Sequence, residues 1–349
     1  MSEMSAVMLS EWGGELSVDT VTQPEPGPNE VRIAVRACAI TRTVENAIQG
    51  GLSDDPSLLP RIPGHEFAGV IDAVGTMVSS VAPGDRVLSY FYLTCGMCQA
   101  CRQGNRNQCT DFDGWVGVNC DGAYAEYATI PAANAIPIPD ECSFTAAALA
   151  ADGLATPLHV CERANVTDSD TVLILGGAGR IGIHLSQLAA SRGANVISAD
   201  VNQTQLTHID EMTGSAVETV DASRDDFADQ VQHATSYAGG PTVIVDTVGD
   251  INTIKDAWDL LGMGGCLVTL TTHHDRSFAP PLKQFVYTET SLIGSRYATS
   301  DQVIRAAQMF ADNRINHVVR DTVGLDEVPA IHAQLRAGET FGTTMLTPR

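Results

Sequence analysis

Lysine is almost absent from this chain of 349 residues. It occurs only at Lys255 and Lys283, and 42 acidic residues outweigh 20 basic ones to give a net charge of −22 at pH 7. So acidic a surface argues against nucleic acid and anionic membranes as partners. Because such a charge repels itself unless salt screens it, the composition favours a halophilic source, with an ordinary acidic protein as the alternative.

Long apolar runs and a secretion signal are also missing. No stretch approaches the roughly 18 consecutive apolar residues of a membrane helix, and the first residues, MSEMSAVMLSEWGG, carry acids where a signal peptide needs a basic flank. The sequence therefore predicts a cytoplasmic protein. Its length and its hydrophobic content of 44% allow two domains with cores of their own.

A glycine-rich stretch, TVLILGGAGRIG from Thr171 to Gly182, is the strongest local signal. A β-branched, apolar run predicts a buried strand, and apolar residues at helical spacing follow the glycines. A G-x-G-x-x-G in this context is typical of a dinucleotide site, where backbone N–H groups at the helix start hold a pyrophosphate. The predicted contacts are Gly177, Gly179, Arg180, Ile181 and Gly182.

A second strand ends at Asp200, 18 residues after the last glycine. Its carboxylate is placed to accept hydrogen bonds from the adenosine ribose. The charge would repel a 2′-phosphate, and the segment from Val201 to Gln205 offers no Arg or Lys to bind one. The sequence therefore predicts NAD rather than NADP.

The rhythm of the chain changes near residue 152. Before it, strand-like segments alternate with Gly/Pro turns and predict a β domain; after it, six strands alternate with helical segments and predict a doubly wound parallel sheet. We expect an α/β protein with domains at 1–152 and 153–294, and a tail, 295–349, that returns to the first domain. In that tail we expect a helix over Asp301 to Asp312 and then irregular chain.

Four of the nine cysteines stand within 15 residues, with the spacing Cys95-x2-Cys98-x2-Cys101-x7-Cys109. Four thiolates close a tetrahedral zinc shell with no open position, so this pattern predicts a structural zinc in a lobe spanning about 90–112. Free or disulfide-bonded cysteines are the alternative.

The chain resembles the zinc-containing medium-chain dehydrogenases, the alcohol dehydrogenase superfamily, over nearly its whole length. The resemblance rests on the cysteine lobe, the glycine loop and four further motifs: G-H-E-F-A-G at 64–69, P-G-D-R-V at 83–87, D-G-A-Y-A-E-Y at 121–127 and V-D-T-V-G at 245–249. It implies a GroES-like β domain beside a Rossmann domain, an active site in the cleft between them, and a cofactor contact at Val248.

The resemblance also implies a catalytic zinc. His65 matches the family's histidine ligand, Glu66 its carboxylate neighbour, and Asp152 the aspartate form of the third ligand. The family's ligand cysteine is replaced by Thr41, and Cys38 is a further candidate. Two alternatives stay open: a zinc on His65, Asp152 and Glu66 with water, or a metal-free hydrogen-bonded pair of His65 and Asp152.

The same segment bears on catalysis. Thr43 keeps the hydroxyl that contacts the substrate oxygen in the family, while Asn46 stands where the family has its proton-relay histidine. The resemblance implies an NAD-dependent oxidoreductase that interconverts an alcohol and an aldehyde or ketone. The alternatives are a zinc-free 1,4-reductase of an α,β-unsaturated carbonyl and a dinucleotide-binding relative without turnover.

The partner predicted from the family is a small-molecule alcohol or carbonyl compound, and the family favours a homodimer or homotetramer. A loop from Thr271 to Asp275 is a candidate for lining the pocket, although its paired histidines, His273 and His274, favour solvent exposure.

Overall fold

The computed structural model describes residues 2–235, 239–272, 276–338 and 341–348. These residues form two compact units, one of Met1–Ala155 with Ala298–Arg349 and the other of Thr156–Tyr297. His273, His274 and Asp275 of the candidate pocket loop lie outside the described residues.

Strands and helices are numbered along the chain. The strands are β1 (Glu3–Leu9), β2 (Leu16–Thr22), β3 (Glu30–Ile40), β4 (Phe67–Val74), β5 (Arg86–Ser89), β6 (Tyr92–Thr94), β7 (Phe112–Trp115), β8 (Tyr127–Pro131), β9 (Ala135–Pro137), β10 (Thr171–Leu175), β11 (Asn195–Asp200), β12 (Glu218–Asp221), β13 (Val243–Asp246), β14 (Cys266–Thr269), β15 (Ser291–Gly294), β16 (Val319–Val323) and β17 (Thr343–Leu346).

The α-helices are α1 (Arg42–Ile48), α2 (Gln99–Arg102), α3 (Phe144–Leu149), α4 (Ala155–Arg163), α5 (Arg180–Ser191), α6 (Gln203–Thr213), α7 (Phe227–Ala234), α8 (Ile251–Leu260), α9 (Leu282–Tyr287), α10 (Ser300–Ala311) and α11 (Val328–Ala337). A π-helix spans Ala150–Leu154, and 3-10 turns span Pro56–Leu58, Arg106–Gln108, Ala132–Asn134, Gly214–Ala216 and Leu325–Glu327.

The first unit is built on a sheet of seven strands. Its main path runs β16-β17-β3-β4-β5-β9, and β8 pairs with β3 beside it. The longest strand, β3, pairs antiparallel with β4, β8 and β17. The apolar side chains of β3 are buried, which makes this strand the centre of the first unit's core.

The second unit contains a six-stranded parallel sheet in the order β12-β11-β10-β13-β14-β15. In chain order this is 3-2-1-4-5-6, the order of the doubly wound dinucleotide-binding fold. All five residues of β10 are buried, as a central parallel strand requires. The order reverses between β10 and β13, so the carboxyl ends of these two strands mark the position where such sheets bind their ligands.

These observations confirm the predicted α/β class, with a β domain and a doubly wound parallel sheet. The prediction of irregular chain after the helix at 300–311 is wrong, because β16, α11 and β17 follow it. β16 is short and mostly exposed, so it shows no clean alternation of apolar residues. Its strand geometry depends on pairing with β17, which itself pairs with β3, and sequence periodicity does not reveal such distant pairing.

One helical stretch, Phe144–Arg163, is long and apolar enough to cross a membrane by length and composition alone. The sequence shows no uninterrupted apolar run there, since Asp152 and Glu162 lie within it. Its most apolar window of 18 residues is 89% buried within the protein. Such burial is typical of a core helix.

Candidate active site

The glycine loop follows β10 and leads into α5. Gly176 has a φ of +75°, a left-handed conformation that other residues rarely adopt. A Cβ on Gly177 would strike Ser198 of the neighbouring β11, and a Cβ on Gly182 would strike the backbone of Gly176 and Gly177. The first turn of the helix can pack this closely on the loop only because side chains are missing at these positions.

The start of α5 has the properties of an anion site. Gly179 is the N-cap residue and makes no side-chain capping bond. The N–H groups of the first helical turn, from Arg180 to Gly182, have no acceptor within the helix itself and carry the positive end of its dipole. A phosphate at a helix start fits this arrangement.

Asp200 is the last residue of β11, and its carboxylate accepts hydrogen bonds from the glycine loop and from the residue two positions after it. Oδ2 accepts a hydrogen bond from the N–H of Ala178 at 3.1 Å, and Oδ1 accepts one from the N–H of Asn202 at 3.1 Å. The carboxylate therefore lies directly beside the glycine turn. Each of its oxygens keeps acceptor capacity for a ribose hydroxyl.

The loop after β13 lies beside the glycine loop. Thr247 donates its hydroxyl to the carbonyl of Leu175 at 2.8 Å. Asp246 is fully buried, and its Oδ1 accepts from the N–H groups of Val248 at 3.0 Å and Gly249 at 2.8 Å. The exposed Val248 side chain lies against Gly176. The glycine loop, Asp200 and Val248, all predicted to contact the cofactor, therefore lie together at the carboxyl ends of β10, β11 and β13.

A cluster of three side chains of the types that bind metals lies in the first unit. The ligand atoms of His65, Glu66 and Asp152 lie within 4.8 Å of one another, and all three residues are buried. His65 Nε2 and Glu66 Oε1 are 3.6 Å apart. Asp152 comes from the π-helix, a rare backbone form often found at functional sites.

Local structure holds the histidine in place. Gly64, just before it, has a φ of +96°. The backbone carbonyl of His65 accepts a hydrogen bond from the Ser89 hydroxyl at 2.5 Å. The imidazole ring of His65 packs against the ring of Phe91, with centroids 4.3 Å apart and a tilt of 36°. The residues that precede β4 are thus fixed both by backbone geometry and by packing.

The segment that departs from the family pattern forms the start of α1. Thr41 is the N-cap residue, and its Oγ1 accepts the N–H of Val44 at 3.3 Å. Thr43 is partly buried on the first turn. Asn46 is exposed, and its backbone carbonyl accepts a hydrogen bond from the N–H of Gly51 at 2.8 Å. The catalytic roles of Thr43 and Asn46 stay predictions.

Tyr124, His332 and Glu45 form a buried polar network, joined by Arg336, that no sequence motif predicted. The Tyr124 hydroxyl lies 3.1 Å from His332 Nε2, and His332 Nδ1 lies 2.8 Å from Glu45 Oε2. Arg336 donates to the same carboxylate at 3.1 Å. No short motif could reveal the network, because Glu45 and His332 are 287 residues apart.

The four cysteines of the lobe also lie close together, with ligand atoms within 4.8 Å of one another. Cys95 and Cys109 Sγ are 3.6 Å apart, and Cys98 and Cys109 Sγ are 3.9 Å apart. A tetrahedral zinc with Zn–S bonds of about 2.3 Å would separate its sulfurs by about 3.8 Å, whereas a disulfide needs about 2.0 Å. Backbone hydrogen bonds at Cys101 and Thr110 lower the pKa of Cys98 to about 5, whereas burial and the neighbouring sulfurs raise the pKa of Cys101 to about 12. The two thiols thus shift each other's pKa, and the spacing of the sulfurs is the observation that favours a metal.

Both clusters fit zinc in their donor chemistry. The cysteine lobe offers four sulfurs and no open position, as in structural sites. His65, Glu66 and Asp152 offer one imidazole and two carboxylates, which leaves room for a substrate oxygen.

Comparison with known proteins decides the family. Residues 27–140 match the alcohol dehydrogenase GroES-like domain, and residues 181–312 match the zinc-binding dehydrogenase model. The L-galactonate-5-dehydrogenase of Escherichia coli K12 is 30% identical over 90% of this chain and 89% of its own. This chain belongs to the medium-chain dehydrogenase/reductase superfamily. It is an NAD(P)-dependent oxidoreductase, so the alternative of a dinucleotide-binding relative without turnover is set aside.

Other similar proteins cover several reactions and both cofactors. The acryloyl-coenzyme A reductase of Metallosphaera sedula is 27% identical over 99% of this chain and 100% of its own. Among solved structures, a zinc-binding dehydrogenase from Sinorhizobium meliloti bound to NADP has a TM-score of 0.88, 28% identity and full coverage of both chains. A short-chain alcohol dehydrogenase from E. coli CFT073 complexed with NADH has a TM-score of 0.88 and 25% identity, over 99% of this chain and 100% of that one.

The cysteine lobe yields a first prediction. We expect Cys98→Ser to lower the zinc content by one ion per chain and to make residues 95–109 protease-sensitive. Structural zinc contributes about 10–16 kcal/mol of apparent binding free energy in small sites, so losing a ligand should unfold the lobe. Mass spectrometry of the native protein and limited proteolysis measure both effects. The matched control is Met97→Ala at an exposed neighbour, and equal zinc content in both variants would contradict the prediction.

The buried network yields a second prediction. Burial alone would raise the pKa of Glu45, but hydrogen bonds from His332 and Arg336 outweigh it and hold the pKa below its usual 4.5. The stability from this carboxylate is therefore fully present above pH 4.5 and is lost as the pH falls through the lowered value. We expect Glu45→Gln to reduce the free energy of unfolding at pH 7 by about 1–3 kcal/mol. Below pH 4.5 the free energy of unfolding should fall less steeply with pH in the variant than in the wild type.

Urea unfolding of the wild type and Glu45→Gln across a pH series measures this contribution. Glu15→Gln at an exposed carboxylate is the control and should follow the wild type. Parallel curves for the wild type and Glu45→Gln below pH 4.5 would show that the network does not hold Glu45 ionised.

Proposed function

We propose that this protein interconverts an alcohol and an aldehyde or ketone by hydride transfer with NAD. The observation that carries the proposal is the buried set of His65, Glu66 and Asp152, whose ligand atoms lie within 4.8 Å of one another. Two carboxylates and an imidazole gathered in a buried place are costly unless they bind a positive charge or share protons. A divalent metal held by them would polarise a substrate oxygen and stabilise charge that develops on it.

The protein's own residues have separate roles in this proposal. His65, Glu66 and Asp152 hold the metal, and Ser89 and Phe91 keep the imidazole in position. Thr43 supplies a hydroxyl that hydrogen-bonds the substrate oxygen. Asn46 can hydrogen-bond but cannot relay a proton as a histidine does, so we expect solvent to exchange the substrate proton.

Cofactor choice is the second part of the proposal. The Asp200 carboxylate lies beside the glycine turn and would repel a 2′-phosphate while accepting ribose hydroxyls. Similar structures carry either NADP or NADH, so family membership alone does not choose between them. The position and charge of Asp200 support NAD.

A 1,4-reduction of a conjugated carbonyl is the second candidate. Thr41 occupies the position of the family's ligand cysteine, and a neutral hydroxyl supports hydrogen bonding to a carbonyl better than metal binding. A similar protein is named as an acryloyl-coenzyme A reductase. In this candidate hydride reaches the β carbon, and hydrogen bonds alone polarise the carbonyl.

Three further sequence predictions stay proposals. A halophilic source is supported by the charge of −22, and a cytoplasmic location stays an expectation from the acidic first residues. A homodimer or homotetramer is supported by exposed apolar side chains in the second unit. Leu282, Val286 and Tyr287 lie on α9, and Leu292 lies on β15. β15 is an edge strand among the described residues.

A substrate panel tests the leading function. We expect NADH absorbance to change with alcohols and with aldehydes or ketones in high salt, and His65→Ala to reduce kcat/KM for them by about 10²–10³-fold, the loss of several kcal/mol of polarisation. Turnover of enones alone, insensitive to His65→Ala, would instead support 1,4-reduction. No turnover of any class would refute both candidates.

Cofactor preference gives a separate prediction. We expect Asp200→Asn to raise the ratio of kcat/KM with NADP to that with NAD by at least about tenfold, equivalent to about 1.4 kcal/mol, because the repulsion of a 2′-phosphate is removed. Asp256→Asn, an exposed carboxylate on α8, is the charge-matched control. An unchanged ratio in Asp200→Asn would remove Asp200 from the ribose site.

A further inference from the structure

We propose that the cluster of His65, Glu66 and Asp152 is a thiolate-free metal site, which binds a divalent cation through one imidazole nitrogen and carboxylate oxygens alone. The inference rests on the proposed function, because it concerns the metal that would act on the substrate oxygen. It adds which donor atoms this chain uses and which metals those donors favour.

The pairing of β3 with β4 places Thr41 at this cluster. Cys38 pairs with Phe67, and the N–H of Ala39 donates to the carbonyl of Glu66 at 2.8 Å. Thr41 follows Ala39 by two residues, so this hydrogen bond holds it in the neighbourhood of His65 and Glu66. Position 41 is therefore where a cysteine would reach the cluster.

Tyr124 gives independent evidence for the same neighbourhood. Its ring carbon Cδ1 would lie 2.5 Å from a Cβ on Gly64. Burial, followed by the charges of Cys38, Glu66 and Glu45, raises the pKa of Tyr124 well above 10, while a backbone hydrogen bond from Thr41 opposes the rise. One buried side chain thus contacts both Gly64 and Thr41.

The side chain of Thr41 has a structural task instead of a ligand's. Its Oγ1 accepts the Val44 N–H as the N-cap of α1, and the residue is only 1% exposed. A neutral hydroxyl is not among the usual zinc ligands, which are thiolate, imidazole and carboxylate. The family's sulfur is replaced here by a helix cap.

Cys38 does not restore the missing sulfur. Cys38 lies on β3 and is fully buried. Its side chain packs against Gly64, because a Cβ added to Gly64 would be 3.1 Å from the Cys38 Sγ. Among the described residues, the donor group that contains His65 consists of His65, Glu66 and Asp152, with ligand atoms within 4.8 Å of one another, and does not include this sulfur. The cluster therefore offers only nitrogen and oxygen.

This donor set changes the choice of metal. Thiolates favour zinc strongly, whereas carboxylates and water suit harder cations such as Mn²⁺. We expect the site to bind zinc more weakly than a thiolate version of itself, to exchange its metal in dialysis, and to discriminate less between zinc and Mn²⁺. The cysteine lobe, with four sulfurs, should keep its zinc under the same conditions.

Cobalt spectroscopy on the full-length protein tests the donor set. Mild chelation removes the exchangeable metal while the lobe keeps its zinc, and Co²⁺ is then added. We expect one Co²⁺ per chain with visible d–d bands and no sulfur-to-cobalt charge-transfer band in the near ultraviolet. Thr41→Cys should gain that band and bind zinc at least about tenfold more tightly, a gain of about 1.4 kcal/mol.

Three matched variants keep the test decisive. Thr41→Val should fold, checked by circular dichroism, and leave the cobalt spectrum unchanged, because the hydroxyl is not a ligand. Cys38→Ser should also leave it unchanged. His65→Ala should abolish the visible bands, so the inference stays testable even if Thr41→Cys does not fold.

Two results would overturn the inference. A charge-transfer band in the wild type that disappears in Cys38→Ser would show a thiolate ligand, and the absence of any cobalt bound to the wild type beyond the lobe would show a metal-free site. Hydride transfer is measured separately. If cobalt binds as expected but no substrate turns over, the proposed function fails and the metal site stands. If alcohols and ketones turn over but no cobalt binds beyond the lobe, the metal site fails and the oxidoreductase activity stands.

Discussion

The pairing of β3 with β4 is the constraint on which the first unit depends. Hydrogen bonds across this pair bring the segment around Thr41 next to the segment around His65, although the two are more than 20 residues apart in the chain. The π-helix adds Asp152 from a third element. The chemistry of the cluster then follows from residue types, because buried carboxylates beside an imidazole need a positive charge or a shared proton.

The second unit follows a simpler rule. Short apolar runs that alternate with turn signals and helical spacing predicted six parallel strands, and the structure has six, β10 to β15, among the described residues of this unit. The central strands β10 and β13 are buried at every residue, so their signal is strong. β12 and β15, at the two ends of the sheet among the described residues, are only partly buried and give a weaker one. The glycines at 177, 179 and 182 and the carboxylate at 200, picked out by residue number in the sequence, lie close together in the structure. Their role in binding the cofactor stays a prediction.

The first unit was less predictable for physical reasons. β16 and β17 are short. β17 pairs with β3 at the far end of the chain, and β16 depends in turn on its pairing with β17. The network of Tyr124, His332 and Glu45 has no local signature, because hydrogen bonds between distant residues leave no trace in spacing. The replacement of cysteine by Thr41 was visible in the sequence, but its use as a helix cap was not.

The first unit is interrupted in the chain by the second, and this order matters during synthesis. All of Thr156–Tyr297 leaves the ribosome before β17 and His332 exist. Until then the end of β3, Cys38 to Ile40, lacks its pairing with β17, and Glu45 lacks its imidazole partner. Because domains fold as units while the chain grows, the parallel sheet can form first, and the unit that begins with residue 1 is completed last.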